Sequence, residues 1–401
     1  MDNTPNAATR RLYFEDATLV EFDAEVVERL TRDGRPAVVL DRTAFYPESG
    51  GQPWDRGTLD GAAVLEVIEE GGRIIHVLDR EIAADRVHGR VDWDARFDHM
   101  QQHTGQHILS QAFIEILGGE TKSFHLGPET TSLEIGVGQA DDASVARVER
   151  RANAIVFENR PVKTYFVPPE RISEVPFRRP SKKEGTLRVV EVEGFDHSAC
   201  GGTHCRATGE VGLIKIARWE RIRGNLRFEF VCGGRALADY AWKNSVVRDL
   251  IGRFNVRGPE LPEAIERLSA ELKALKKDAR RLEESLASYE AREIAVKAEG
   301  RVLRAVFRDR SPEAVRSLAL HVVKQGSFVV LYAGFSPSRC HLVLARSESL
   351  APDLRTLVPV VAPLVEGRGG GGPSLVEIAG NPAADVETAL SRAAEAVERL
   401  F

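Results

Sequence analysis

The chain has 401 residues and a formal net charge of −5, with 60 acidic against 55 basic side chains. That length suggests roughly two to four domains. The acidic balance excludes nucleic-acid binding by the charge of the whole molecule, so any such contact must come from local basic patches.

At 43% hydrophobic and 29% charged residues the composition is that of an ordinary globular chain. No apolar run approaches membrane-spanning length, and Met1 to Arg10 holds no apolar signal core, so no membrane contact and a cytoplasmic location are expected. Four cysteines at this length do not make a disulfide framework; Cys232 and Cys340 read as buried thiols.

Residues 11 to 92 read as a β-rich domain. Leu12 to Phe22, Ala37 to Leu40, Val64 to Ile68 and Ile74 to Leu78 are short apolar or alternating runs, separated by turn signals at Asp33-Gly34, Asp60-Gly61 and Gly71-Gly72. The spacing suggests a small barrel or sandwich. Inside it, Thr43 to Gly57 is dense in Gly, Pro and hydrogen-bonding side chains, among them Thr43, Glu48, Ser49, Gln52 and Asp55. A tight turn needs fewer polar groups than this, so the stretch reads as a loop lining a site.

The run from His99 to Leu117 carries Ile108, Leu109, Ala112, Phe113 and Ile116 at helical spacing, which puts His103 and His107 one turn apart on one face. Beyond Lys122-Ser-Phe-His125, a strand is expected over Ser132 to Gly136 and an amphipathic helix over Ser144 to Asn159. Val162 to Val167 and Leu187 to Val192 should be strands around a connection bearing Arg171, Arg178, Arg179, Lys182, Lys183 and Arg188. Cys200-Gly-Gly-Thr-His204 pairs two more donors across two glycines and should be a loop. A second basic segment, Lys215 to Arg235, follows it. Two such segments beside a donor cluster favour a phosphate-rich ligand over a merely solvated face.

From Pro259 the pattern changes. Leu261, Ile265, Leu268, Leu272, Leu275, Ala279, Leu282, Leu286 and Tyr289 form a heptad seam on a long helix, suited to a second copy of the chain or to another helix of the same one. The remainder reads as an α/β domain. Helices are expected over Val315 to Lys324, Leu354 to Leu364 and Ala383 to Leu400, and strands over Phe328 to Ala333 and His341 to Ala345. Between the last two helices, the glycine-rich Glu366 to Ser374 has the composition of a phosphate cradle but lacks the Lys-Ser/Thr ending of a P-loop.

His103, His107, Cys200 and His204 together suit one tetrahedral Zn²⁺, which takes imidazole and thiolate without geometric demands of its own. Spacing by itself does not choose His107 over His99, or Cys200 over Cys205. The expected architecture is an α+β multidomain chain. It comprises a β-barrel domain over 1–93, a zinc-containing α+β domain over 94–250, a helical coiled-coil linker over 251–300 and an α/β domain over 301–401.

Three of these stretches carry a resemblance. Phe45-Tyr-Pro-Glu-Ser-Gly-Gly-Gln-Pro53, Asp98-His-Met-Gln-Gln-His-Thr-Gly-Gln-His107 and Cys200-Gly-Gly-Thr-His204 resemble, in order, the motifs of the alanyl-tRNA synthetase editing domain and of the freestanding AlaX proteins. Gly367 to Gly380 resembles the DHH-associated domain at the synthetase C-terminus. Nothing before residue 11 would hold an aminoacylation domain, so the expected likeness is to the long-form AlaX proteins that act in trans. The resemblance implies a zinc-dependent aminoacyl-tRNA hydrolase that clears tRNA(Ala) mischarged with serine or glycine. It also implies metal ligands at His103, His107, Cys200 and His204, leaving His99 and Cys205 outside. The family's site-lining threonine falls on Thr43, expected to read the seryl hydroxyl. Gln52 belongs to the same loop, and Gly201 and Gly202 are expected to offer backbone donors to the ester oxygen. The synthetase segment after the His helix is Gln-Lys-Gly-Ser; here the place reads Lys122-Ser-Phe-His125, which leaves Ser123 or His125 for its polar work. The ion is expected either to activate water or to hold the loop and substrate. The C-terminal helix and domain are expected to recognise the tRNA body or to form a homodimer. The rival reading is a catalytically silent RNA-binding protein with a structural zinc.

Overall fold

A computed structural model of the chain describes residues 8–180 and 185–401, so Lys182 and Lys183 of the first basic segment lie outside the described residues. It divides into two units, Met1–Asp249 and Leu250–Phe401.

The first unit opens with β1 (Arg10–Arg11) and a single helical turn, α1 (Leu12–Glu15). Strand pairing then resumes in β2 (Glu21–Arg32), so only the end of the Leu12 to Phe22 run is strand. Aromatic packing accounts for this: the turn tucks Tyr13 under Tyr46, with ring centroids 5.4 Å apart. β3 (Arg35–Leu40), the short β4 (Arg42–Thr43), β5 (Gly57–Leu59), β6 (Ala62–Glu70), β7 (Arg73–Leu78) and β8 (Arg86–Val91) follow. Six of them close a barrel in the order β2-β3-β7-β6-β5-β8, and β1 pairs parallel with β4. The central residues of the Asp33-Gly34, Asp60-Gly61 and Gly71-Gly72 turns all have positive φ, as two-residue hairpins require. Phe22, Leu40, Phe45, Leu59, Ile74 and Leu78 fill the barrel.

The long helix α2 (Trp93–Leu117) starts at an Asp92 cap that accepts from Ala95 N–H and ends at Gly118 in the left-handed conformation. Its first turn is welded to the barrel. Arg96, fully buried, pairs with both Asp55 oxygens through its Nε–Nη2 edge and donates to the carbonyls of Ala17 and Ala44. A buried charge is tolerated only with this degree of satisfaction.

Around α2 lie β9 (Thr121–Leu126), β10 (Thr131–Ile135), α3 (Asp142–Phe157), β11 (Val162–Val167), β12 (Leu187–Val192), β13 (Asp196–Ala199), β14 (Ile214–Ile222) and β15 (Asn225–Cys232). β14-β15-β10-β9 form one antiparallel sheet and β11-β12-β13 another. Ile108, Phe113, Val148, Ile155, Phe228 and Phe230 make the shared core; each such side chain contributes roughly 1.5–3 kcal/mol on burial. The buried Gln102 carboxamide pairs with both backbone groups of Cys232. The Lys215 to Arg235 segment is less basic than its composition suggests. Lys215 pairs with Glu149, Arg218 with Glu229 and Arg235 with Asp98. α4 (Gly233–Phe254), not anticipated from the pattern, carries exposed Leu237, Tyr240 and Trp242.

In the second unit, α5 (Leu261–Lys297) realises the heptad run as one helix, with Leu268, Leu272, Leu275, Leu282 and Leu286 exposed. Ala287 and Ala291 pack in a core cluster with α6 (Pro312–Val322). β16 (Val302–Val306) lies parallel to β17 (Val329–Ser336), which pairs antiparallel with β18 (Arg339–Arg346). The helix expected over Leu354 to Leu364 is instead two 3-10 turns around α7 (Val358–Val361), because Pro363 cannot continue it. The glycine run is also not a cradle before a helix. It forms an edge strand, β19 (Arg368–Gly372), on β20 (Leu375–Gly380), ahead of α8 (Val386–Glu398). A Cβ at Gly369 or Gly371 would overlap the β20 carbonyls, so the glycines serve close strand approach. Among the described residues no helix is long and apolar enough to cross a membrane.

Burial inside the barrel pushes His76 down to about 4 from an ordinary 6.5. Its Nε2 accepts from the Thr43 hydroxyl at 2.8 Å and its Nδ1 meets Val38 O at 3.3 Å, which fixes the neutral form. Between those two pH values the unfolded chain binds the extra proton, so stability falls as pH drops from 6.5 towards 4, by about 3 kcal/mol from this group. Urea midpoints should therefore drop on acidification, and His76→Gln should flatten that dependence. An equally steep loss in the variant would refute the assignment.

Candidate metal centre

Helix α2 presents His103 and His107, and the loop after β13 presents Cys200 and His204. One donor atom from each lies within 4.8 Å of every other. The Cys200 sulfur stands 3.4 Å from His103 Nε2 and 3.8 Å from His204 Nε2. His99 and Cys205 stand outside this group. Cys205 is buried on the far side of the loop, where its backbone N–H donates to Thr104 Oγ1, and burial pushes its thiol up to about 12.

The second nitrogen of each imidazole is already engaged. Gln52 Oε1 lies 2.8 Å from His103 Nδ1, Asp196 Oδ2 lies 3.2 Å from His107 Nδ1, and Gly202 O lies 3.1 Å from His204 Nδ1. An acceptor on Nδ1 places the proton there and turns a lone pair on Nε2 towards the centre. This is the outer arrangement that orients metal-binding histidines. Two partners are themselves fixed. Gln52 donates to Thr203 Oγ1 at 2.8 Å and accepts from Thr203 N–H. Asp196 receives Ser198 Oγ at 3.0 Å and Arg178 Nη1 at 3.3 Å, and Arg178 also donates to the His107 carbonyl.

The loop geometry follows from its glycines and from Arg188. A Cβ at Gly202 would overlap the His103 ring and the Gln52 oxygen, so only glycine brings the loop this close to α2. Arg188 Nη1 donates to Cys200 O at 3.0 Å and to Gly202 O at 2.9 Å.

Burial disfavours a Cys200 thiolate, but the facing imidazoles of His103 and His204, with His107 close by, bring the thiol well below its usual pKa. Burial takes His204 down to about 3 against the pull of that thiolate. Burial also acts to lower His107, but Asp196 and Cys200 outweigh it and hold it above its ordinary value. A thiolate among three histidines whose Nε2 atoms point together is a donor set that fits a borderline-soft divalent ion. The cluster can hold a metal ion.

A cavity of about 360 Å³ opens beside the donors. Gln106, Ser123, Phe124, Lys122 and Arg179 line it together with His103, His107 and Cys200. Ser123 is therefore at the cavity, while His125 is not among its lining residues. Other expected site residues lie elsewhere. Thr43 is fully buried and lines neither cavity that borders the loop; its oxygen is committed to His76 and to Phe45 N–H, a threonine turn bond. Gln52 sets its Oε1 against His103 Nδ1. The Gly202 N–H is spent on Cys200 Sγ at 3.4 Å, and Gly201 borders a second cavity instead of this one.

Sequence reasoning missed Asp196 and did not foresee the inward bonds of two arginines, Arg178 to Asp196 and the buried Arg188 to the Cys200 loop. The signal for Asp196 was its place one strand before the Cys200 loop.

Two family models match parts of the chain. The model described as threonyl and alanyl tRNA synthetase second additional domain matches residues 187–228, and the one described as tRNA synthetases class II (A) matches residues 5–95. The alanyl-tRNA editing protein AlaX-L of Pyrococcus horikoshii is 31% identical over 378 residues, covering 90% of this chain and 92% of that protein. Alanine–tRNA ligase of Pyrococcus furiosus is 33% identical over 425 aligned positions, covering 98% of this chain but 43% of the ligase. The chain thus spans under half of that longer relative. The solved C-Ala domain of Aquifex aeolicus alanyl-tRNA synthetase is similar at 22% identity and a TM-score of 0.21, over 22% of this chain and 84% of that one.

If Asp196 orients His107, Asp196→Asn should weaken zinc affinity about 10- to 100-fold while the fold persists. Competition against a chromophoric chelator reads this directly, and an unchanged affinity would remove Asp196 from the centre.

Proposed function

The chain belongs to the alanyl-tRNA editing protein family, and on that premise we propose that it hydrolyses the aminoacyl ester of tRNA(Ala) mischarged with serine or glycine. The observation that carries the reading is the cavity lined by His103, His107 and Cys200 of the four-residue donor cluster on one side and by Gln106 and Ser123 on another.

We take the bound ion to be one Zn²⁺ held by those four residues. When bound, it supplies a fixed positive charge beside the ester and ties the loop to α2. Four protein donors would leave the ion no open position, which favours this holding role over water activation. The remaining work falls to the chain. An aminoacyl ester is already activated, so orientation and exclusion of bulk water count for most of the rate. Lys122 and Arg179, at the cavity, suit the phosphates of the acceptor strand.

For selection, the role expected of Thr43 passes to Gln106. Gln106 is buried at the cavity wall, and its Nε2 donates to Ser110 Oγ at 2.7 Å, which orients the carboxamide. Its oxygen is then an acceptor for a seryl hydroxyl. Alanine, like glycine, offers no donor and leaves that oxygen unpaired, so this contact selects serine and plays no part in the handling of glycine. The closed donor set would equally serve a silent RNA-binding protein with structural zinc.

The deciding experiment is release of serine from Ser-tRNA(Ala) by the zinc-loaded full chain, with Ala-tRNA(Ala) as control. Serine release is expected, with Cys200→Ala losing zinc and activity together; no release by the wild type would leave the silent-binder reading. Gln106→Leu should retain zinc and shrink the serine-to-alanine rate ratio at least about tenfold. A ratio equal to that of the wild type would clear Gln106 of the selecting role.

A further inference from the structure

A second cavity, of about 260 Å³, borders the same loop, and Ala199 and Cys200 line both cavities. Its wall is aromatic and cationic. Phe14 carries the Arg188 guanidinium at 4.9 Å and that of Arg11 at 5.4 Å from its ring centroid, while Phe166 meets Phe14 edge-on at 6.0 Å. Phe166 is 55% exposed, an unusual position for a large ring that the core does not need. Arg188 is only 8% exposed, and its Nε is a buried donor with no hydrogen-bond partner among the described residues. Such a group is costly unless a ligand satisfies it.

The missing partner must be flat enough to stack on a ring, must carry a lone pair for Arg188, and must lie beside an ester in the first cavity, across the Ala199 and Cys200 border that the two cavities share. A phosphate meets the second condition but not the first, and an aliphatic side chain meets neither. A nucleobase meets all three, and aromatic rings with nearby arginines are the usual platform for unpaired bases. We infer that this second cavity seats the terminal adenine of the aminoacyl-tRNA substrate, stacked on Phe166, with a ring nitrogen accepting from Arg188 Nε–H, while the ester lies in the first cavity. The Cys200 loop then passes between base and ester and sets the distance between them. This inference rests on the editing reading above.

The test uses the zinc-loaded full chain and a CCA-ending RNA trinucleotide, with the same trinucleotide lacking its terminal base as control. Binding is followed by fluorescence anisotropy, and turnover is followed with Ser-tRNA(Ala). Phe166→Ala should weaken trinucleotide binding about tenfold, Phe166→Tyr should restore it, and the abasic control should bind both wild type and Phe166→Ala equally poorly. In turnover the loss should fall on KM. Phe14→Leu, which keeps apolar volume but loses the ring, gives a second reading of the same site. If an active enzyme shows wild-type binding and KM in Phe166→Ala and Phe14→Leu, the base lies elsewhere and the inference is overturned while editing stands. If no serine is released but binding still depends on the terminal base and on Phe166, the editing reading fails and the base site survives.

Discussion

The centre depends on one constraint: each of three imidazoles must keep its Nδ1 occupied so that its Nε2 faces inward. The three acceptors come from three different parts of the chain. Gln52 comes from the barrel loop, Asp196 from a strand of the neighbouring sheet, and Gly202 from the donor loop itself. The site therefore assembles only when barrel, helix and loop are all in place. Metal affinity and folding of the first unit are coupled for the same reason.

What holds barrel and helix in register is the Arg96–Asp55 pair. Both groups are buried, and Asp55 also accepts from Tyr46 N–H at 2.5 Å, so the loop that delivers Gln52 is tied at one carboxylate to the helix that delivers His103. A buried pair of this kind adds little net stability over apolar packing, but it penalises every alternative arrangement that would leave either charge alone. Arg178 and Arg188 work similarly near the other half of the site. Burial lowers the pKa of both, yet each stays close to the negative charge of Asp196 or Cys200. Arg178 and Arg188 are thus engaged inward, while Arg179, Arg221 and Arg223 stay exposed.

Two cavities meet at the Cys200 loop, and this gives the reading its economy. One wall of the loop belongs to the polar cavity beside the donors, the other to the aromatic cavity beside Phe166. A substrate with a hydrolysable ester and an adjoining flat base would be measured across Ala199 and Cys200. The loop can be that thin because Gly202 lets it press against His103.

Local pattern was enough to establish the His-bearing helix, the barrel strands β3, β6 and β7, the loop character of Cys200 to His204 and the long α5 helix. These depend on periodicity, turn chemistry and glycine, which act over a few residues. Where local signals competed with distant packing, pattern misled: the Leu12 run turned helical under Tyr46, and the glycine run became an edge strand against β20. The donor types were also readable, because Cys and His at short spacing carry their chemistry with them. Tertiary structure alone decided which nitrogen of each histidine faces the centre, that Thr43 is buried against His76 rather than at a cavity, and that Gln106 and Phe166 line the cavities. Those outcomes depend on partners dozens of residues away, such as Gln52 with His103 or Asp196 with His107, and no periodicity in a chain encodes which distant carbonyl or carboxylate a ring will meet.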